Sequence, residues 1–339
     1  MSQDKKRVLV VGAGGFTGGF IVAEGLRRGF EVWAGVRETT SRRFLSDPAI
    51  RFLTLDFDEP DSLVPALRQA LPDGEKWDYI VYNLGATKAL NFMDFSRINH
   101  DYLVAFTEAL KQSGMVPGKL LYMSSLSVMG PGDEKGYTPF GADSLPRPNT
   151  RYGTSKLKAE TALELSGVPY IIFRCTGIYG PHERDYFLMF KSIAAGFDFS
   201  VGYRRQMLTF IYVEDLARAV YDALDHAPAG RKYIISEDRA YSQKEFRAIS
   251  ARKLNKKTVI PIIAPLWVLK CVCAVSGFIG RCRNKTMTLN PDKYRIMKQR
   301  NWKTDISAAR RDFGFNPGTK LEQGVGKTID WYKSAGWLK

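Results

Sequence analysis

The sequence predicts an α/β fold: a doubly wound parallel sheet with a smaller, mostly C-terminal substrate-binding domain. Three observations predict it. Up to about residue 175, apolar runs of five or six residues alternate with longer helical patterns, as in parallel sheets covered on both faces. A glycine-rich turn joins the first run to the first helical pattern. Beyond Gly180 the alternation becomes irregular, which marks a second unit.

Taken in order, the strand-like runs are RVLVVG from Arg7, EVWAGV from Glu31, IRFLTL from Ile50, DYIVYN from Asp78, KLLYMS from Lys119 and YIIFRC from Tyr170. Helical periodicity covers Phe16–Arg28, Asp61–Ala70, Arg97–Ser113 and Tyr152–Ser166. Further on, MLTFIY (207–212) and RKYIIS (231–236) read as two more strands, and helices are expected after Val213, Ser242, Thr304 and Leu321. The implied organisation is a dinucleotide-binding domain over 1–180, to which 207–237 return, and a substrate-binding domain from 181–206 and 238–339. No internal repeat or low-complexity segment interrupts it.

Gly12, Gly15 and Gly18 follow the first strand at G-x-x-G-x-x-G spacing and open the first helix. In a Rossmann fold the first permits the tight turn and the second lets backbone approach a pyrophosphate. The third lets helix and strand pack closely. Phe16 and Thr17 open that helix and are expected to face the same anion. The second strand closes at Val36 and Arg37 follows. A carboxylate there would suit NAD, whereas an arginine suits a ribose 2′-phosphate. Arg42 and Arg43 stand nearby; the alternative is a solvated arginine cluster. NADP(H) is therefore favoured over NAD(H).

Tyr152 and Lys156 lie one helical turn apart on one face. An adjacent ammonium is expected to lower the phenol's pKa. Ser124, Ser125 and Ser127 end the KLLYMS strand, where open α/β sheets bind ligands. Tyr-x-x-x-Lys occurs often by chance, but here it coincides with the glycine turn and the serine-rich strand end.

With these motifs the chain resembles the extended short-chain dehydrogenases/reductases, also called the NAD-dependent epimerase/dehydratase family. GAGGFTGG, YNLGA (82–86), INHDYLVAFTEAL, SSLSVMG, YGTSK, RCTGIYGP (174–181), FIYVEDLARA and the ending FGFNPGTKLEQGVGKTIDWY carry the likeness over nearly the whole chain. The resemblance implies that Ser125 is the catalytic serine, because it precedes the valine of a V-x-G step by three residues. It implies that Asn99 is a structural asparagine of the active site and that Asp56 contacts the adenine, a turn or cap carboxylate being the alternative. Asn83, Gly85 and Tyr179 then belong to loops beside the cofactor. The implied reaction is reduction of a carbonyl by NADPH: Tyr152 donates the proton, Ser125 holds the oxygen, and Lys156 tunes Tyr152 and anchors the ribose.

Two features expected of nucleotide-sugar relatives are missing. Leu208 stands where an R-D-F arginine would be, and RNWKTDISAA contains no R-P-G-D. Arg204 and Arg205 lie close in sequence, which keeps anion binding open. The pattern tilts toward the hydroxysteroid-dehydrogenase and dihydroflavonol-reductase-like branch, hence toward a hydrophobic, lipid-, long-chain-keto- or sterol-like substrate. The apolar segment 258–280 supports this. It is read as a buried helix or lid, as an interfacial segment, or as a membrane span broken by Pro261, Pro265 and Lys270.

The net charge is +15, from 50 basic and 35 acidic residues. Such a surface attracts anions. Peripheral contact of 258–285 with an anionic membrane is expected, as is a homodimer. No nucleic-acid motif appears. Four cysteines without a C-x-x-C and three scattered histidines give no metal site and imply a reducing, cytoplasmic setting. With strand and turn already at Arg7, no signal peptide is expected. Two other functions stay open: a nucleotide-sugar epimerase or dehydratase with tightly bound NAD, and a non-catalytic dinucleotide-binding regulator. The complete Ser125, Tyr152 and Lys156 set argues against the regulator.

Overall fold

The structure is a computed structural model and describes residues 5–283, 285, 287 and 289–338. In chain order the strands are β1 (Arg7–Val11), β2 (Glu31–Val36), β3 (Arg51–Thr54), β4 (Tyr79–Tyr82), β5 (Lys119–Ser125), β6 (Tyr170–Cys175), β7 (Gly177–Tyr179), β8 (Phe197–Val201), β9 (Met207–Leu208), β10 (Phe210–Tyr212), β11 (Arg231–Ile235), β12 (Tyr241–Ser242) and β13 (Ile260–Ala264). The α-helices are α1 (Phe16–Arg27), α2 (Leu63–Ala70), α3 (Phe92–Ser96), α4 (Tyr102–Ser113), α5 (Arg151–Leu165), α6 (Asp185–Ala194), α7 (Val213–His226), α8 (Gln243–Lys253), α9 (Leu266–Cys282), α10 (Pro291–Lys298), α11 (Ser307–Phe313) and α12 (Leu321–Ser334).

Seven strands form one parallel sheet in the order β11-β6-β5-β4-β1-β2-β3. The order reverses between β1 and β4, which opens a crevice at the strands' carboxyl ends. Alternation along β1 shows why the sheet is covered twice. Val8 and Val10 enter one core with Ile21 of α1 and Val220 of α7. Leu9 and Val11 enter the other with Leu67 of α2, Phe106 of α4 and Leu163 of α5. A separate core of Phe190, Phe246, Val325 and Tyr332 joins α6, α8 and α12.

Four expectations are corrected. The single helix expected over Arg97–Ser113 is α3, a π-helical turn at Arg97–Asp101, and α4. MLTFIY breaks at Thr209, whose buried hydroxyl donates to the Trp302 carbonyl at 2.7 Å. β9 then pairs antiparallel with β12, and β10 parallel with β7. Residues 306–315, expected in the second domain, send Ile306, Ala309, Phe313 and Phe315 into the sheet's own core. Finally, 258–280 is not a buried helix. Ile260–Ala264 pairs parallel with β8, and α9 buries only a narrow stripe while most of its remaining apolar side chains stand exposed. Among the described residues no helix is long and apolar enough to cross a membrane.

Candidate active site

The crevice above the sheet is a cleft of about 1450 Å³, larger than a single small ligand needs. At one end lies the turn after β1. Gly12 has φ 81°, and a Cβ there would stand 2.8 Å from the Leu84 amide nitrogen. Gly18 touches the same turn: its Cβ would meet the Gly12 carbonyl at 2.4 Å. α1 begins at Gly15 with no side-chain cap and no acidic residue in its first turn. Its first amides are thus free to face an anion. Gly15, Phe16, Thr17, Asn83 and Gly85 line this end.

Arg37 follows β2, is exposed on the cleft wall, and joins no ion pair among the described residues. Arg43 also lines the cleft, whereas Arg42 lies over the Phe52 ring at 4.2 Å, away from it. The Asp56 carboxylate is exposed and accepts from the Asp58 amide at 3.0 Å, a turn contact. Its neighbours Leu55 and Phe57 reach the cleft.

Ser125, Tyr152 and Lys156 line the cleft together. Thr150 caps α5 by accepting from the Gly153 amide at 3.0 Å. A Cβ on Gly153 would lie 2.3 Å from the Ser127 carbonyl, so glycine is what lets α5 press against the serine turn. Ser125 itself accepts from the Ser127 amide at 3.2 Å. Ser124 also lines the cleft but is buried and donates to Glu160 at 2.5 Å. Lys156 is buried, donates to the Met123 carbonyl at 2.8 Å and sits 4.7 Å from the Tyr122 ring centroid.

Burial dominates both ionisations. It pushes the Tyr152 phenol up to about 12, with the Ser125 hydroxyl offsetting part of the rise. It pulls the Lys156 ammonium down to about 8. The expectation that Lys156 lowers Tyr152 is not met, because the ammonium is directed at Met123 and is itself desolvated. The phenol is therefore held protonated at neutral pH, the form a proton donor requires.

Asn99 is fully buried beneath the cleft, in the π-helical turn. It accepts from the Ala86 amide (2.8 Å) and donates to the Ala86 carbonyl (3.1 Å) and to the Ser155 hydroxyl (2.9 Å). It ties the loop after β4 to α5. Tyr179, expected beside the cofactor, is not at the cleft: its ring packs with Phe210 and Tyr212 in the α6–α8–α12 core. Sequence reasoning missed the Glu160–Arg174 ion pair under α5, closed at 2.7 Å and almost wholly buried. Its signal was Arg174, a charge inside the apolar run YIIFRC.

A seven-stranded Rossmann sheet with a glycine turn, an uncapped helix and a tyrosine–lysine pair at its crevice defines an enzyme of the extended short-chain dehydrogenase/reductase type. Residues 8–236 match the model of the NAD dependent epimerase/dehydratase family, and the chain belongs to that family. It is 24% identical to a ceramide reductase of Caulobacter vibrioides over 100% of this chain and 98% of that one. It is 22% identical to a dTDP-glucose 4,6-dehydratase of Neisseria meningitidis, covering 96% and 93%. The structure of a dTDP-glucose 4,6-dehydratase of Bacillus anthracis, in complex with NAD, superposes with a TM-score of 0.76 at 18% identity, covering 98% of each chain. No cluster of residues able to hold a metal occurs among the described residues.

The displaced lysine pKa has a consequence for stability. The native ammonium loses its proton near pH 8, the unfolded one near 10.5. Between those values the unfolded chain binds more protons, so Lys156 makes stability rise with pH. The unfolding free energy of the wild type minus that of Lys156→Met is expected to be flat from pH 6 to 7 and to increase from about pH 8 to 10.5. Urea unfolding across that range checks it; a flat difference throughout would mean the ammonium is not desolvated.

Proposed function

We propose that the protein is an NADP(H)-dependent oxidoreductase that reduces a carbonyl, or oxidises the alcohol, of a hydrophobic, lipid-like substrate. One observation carries the reading: the cleft beyond Tyr152 has an apolar wall, formed by Leu188, Met189, Phe199, Leu208, Phe246 and Leu289. Leu208 faces the space where a nucleotide-sugar enzyme would need a phosphate-binding arginine, and the exposed Arg204 and Arg205 do not line the cleft. The full-length likeness to a relative named for ceramide reduction supports a lipid carbonyl. In this reading residues 1–180 and 207–237, with 306–315 packed on them, hold the cofactor, and the rest of the chain shapes the substrate end. The substrate is met at an anionic membrane surface.

The residues fit a dinucleotide. Gly12, Gly15, Phe16 and Thr17 would cradle the pyrophosphate. Arg37, with no competing carboxylate partner, would take a 2′-phosphate, and Lys156 would reach a ribose hydroxyl. The bound cofactor would supply the hydride. Ser125 holds the substrate oxygen, and Tyr152 gives it the proton that the buried phenol retains. Asn99 acts as a positioning residue, fixing the loop and helix that present Gly85 and Lys156. A second reading, a nucleotide-sugar epimerase or dehydratase retaining NAD, is favoured by the likeness to dTDP-glucose dehydratases.

Tyr152→Phe keeps the ring and removes the proton. Turnover is expected to fall by roughly 100- to 10,000-fold while cofactor affinity stays within a few-fold. Steady-state rates with a long-chain ketone and cofactor titration check this; near-parental activity would remove Tyr152 from the reaction.

Arg37→Ala is expected to weaken NADPH binding by roughly tenfold to a hundredfold and to spare NADH, since one charge-assisted contact is lost. Fluorescence titration with both cofactors decides it. Equal weakening of the two would withdraw the NADP preference.

A further inference from the structure

Twelve of the eighteen large apolar side chains that stand exposed among the described residues fall in two short segments, 197–203 and 260–279. The fold brings these segments together. β8 and β13 form a two-stranded parallel sheet in which Phe197 opposes Ile260 and Phe199 opposes Ile262, all four exposed. α9 continues from β13. Leu269 and Cys273 pack inward on Val201, Leu289, Tyr294 and Met297. On its outward side Trp267, Cys271, Val275 and Phe278 follow at spacings of four, four and three, a single helical stripe. Trp267 is 69% exposed, Val275 and Phe278 60% each. Scattered exposed apolar residues are ordinary, but a contiguous patch of this kind marks an interaction surface.

Charge identifies the partner. Residues 246–291 contain nine lysines and arginines and no aspartate or glutamate. Arg252, Lys253, Lys256 and Lys257 are exposed just before β13, and Arg283 and Lys285 just after α9. Asp198, the one acid on β8, is buried and paired with Arg247. Arg252 pairs with Glu322 at 3.2 Å, and the other rim cations join no ion pair among the described residues. An apolar stripe bearing an exposed tryptophan and rimmed by such cations suits the headgroup region of an anionic bilayer. At 17 residues α9 lies along such a surface and does not cross it.

The same elements bound the far end of the cleft. Phe199 and Val201 of β8 line it, as do Leu289 and, from α10, Ile296 and Met297. Val201, Leu289 and Met297 are also the residues on which α9 packs. The substrate end of the cleft and the apolar face are therefore the two sides of one thin wall. We propose that β8, β13 and α9 dock on an anionic lipid bilayer and that the substrate enters the cleft laterally from it, along that wall, without crossing bulk water. The lateral-entry half rests on the reductase reading; the docking half does not.

The test uses the full chain, vesicles of phosphatidylcholine alone or mixed equally with phosphatidylglycerol, and two ketones, one short and soluble, one long-chain and dissolved in the bilayer. The wild type is expected to sediment with the anionic vesicles and only weakly with the neutral ones, and added salt should weaken its binding. Trp267→Glu with Phe278→Glu should lower vesicle affinity by roughly tenfold or more. It should slow the bilayer-dissolved ketone in proportion and leave the soluble ketone unchanged. Lys256→Glu with Lys257→Glu should reproduce the loss on anionic vesicles only. A wild type that reduces the soluble ketone but ignores vesicles overturns the docking and leaves the reductase reading standing. So does a wild-type dimer that the Trp267→Glu and Phe278→Glu changes dissociate, with no vesicle binding: the face would then be an interface between copies. Vesicle binding with neither ketone reduced supports docking and overturns the substrate reading. Equal rates on the bilayer ketone for both proteins overturn lateral entry.

Discussion

Lys156 holds a charged ammonium in an apolar interior at the carboxyl ends of the central strands, and much of the surrounding structure answers to that constraint. Removing such a group from water costs several kcal/mol unless partners replace the solvent. Here they are the Met123 carbonyl and the Tyr122 ring, and they do not compensate fully, as the fall toward pH 8 shows. Gly85 is held to a hydrogen atom by the same crowding. A Cβ there would stand 3.0 Å from Lys156 Nζ and 2.9 Å from Asn99 Oδ1. Asn99 in turn needs a π-helical turn to reach Ala86 and Ser155 together, and such turns gather at functional sites.

The layer beneath is also polar and closed. Ser124, Glu160 and Arg174 form a buried network one helical turn below Lys156. Removing Glu160 or Arg174 would leave an unpaired charge under α5, which is why the network reads as a brace for the helix that carries Tyr152. Beyond this braced floor the cleft carries an apolar wall, and Val201, Leu289 and Met297 in it are the residues on which α9 packs from the other side. In the proposed reading, the reactive end takes the carbonyl and the apolar end takes the lipid-like remainder of the substrate.

The local patterns proved readable where local chemistry decides. β1, the turn at Gly12 and the start of α1 follow from glycine spacing between an apolar strand and a helix. Val36 ends β2 as its sequence implied. What the sequence concealed depends on distant partners. The break at Thr209 exists because Trp302 offers a carbonyl 93 residues away. Tyr179 sits in a motif associated with the cofactor, yet Phe210, Tyr212 and the backbone of Gly324 draw its ring into another core. The segment 258–280 is apolar enough to suggest burial, and composition alone could not reveal that it splits into a strand and a half-covered helix. The lysine's effect on Tyr152 failed for the same reason: i, i+4 spacing fixes the shared face, while desolvation depends on the whole surrounding fold.

The central claim is net hydride transfer to a hydrophobic carbonyl rather than transient oxidation of a sugar. Tracing deuterium from the 4-position of NADPH tests it most directly. With a long-chain ketone, the account predicts one deuterium in the carbinol carbon of the product, with NADP⁺ formed in equal amount and both lost in Tyr152→Phe. Conversion of a nucleotide sugar at a comparable rate, with the dinucleotide regenerated and no net cofactor consumed, would contradict it.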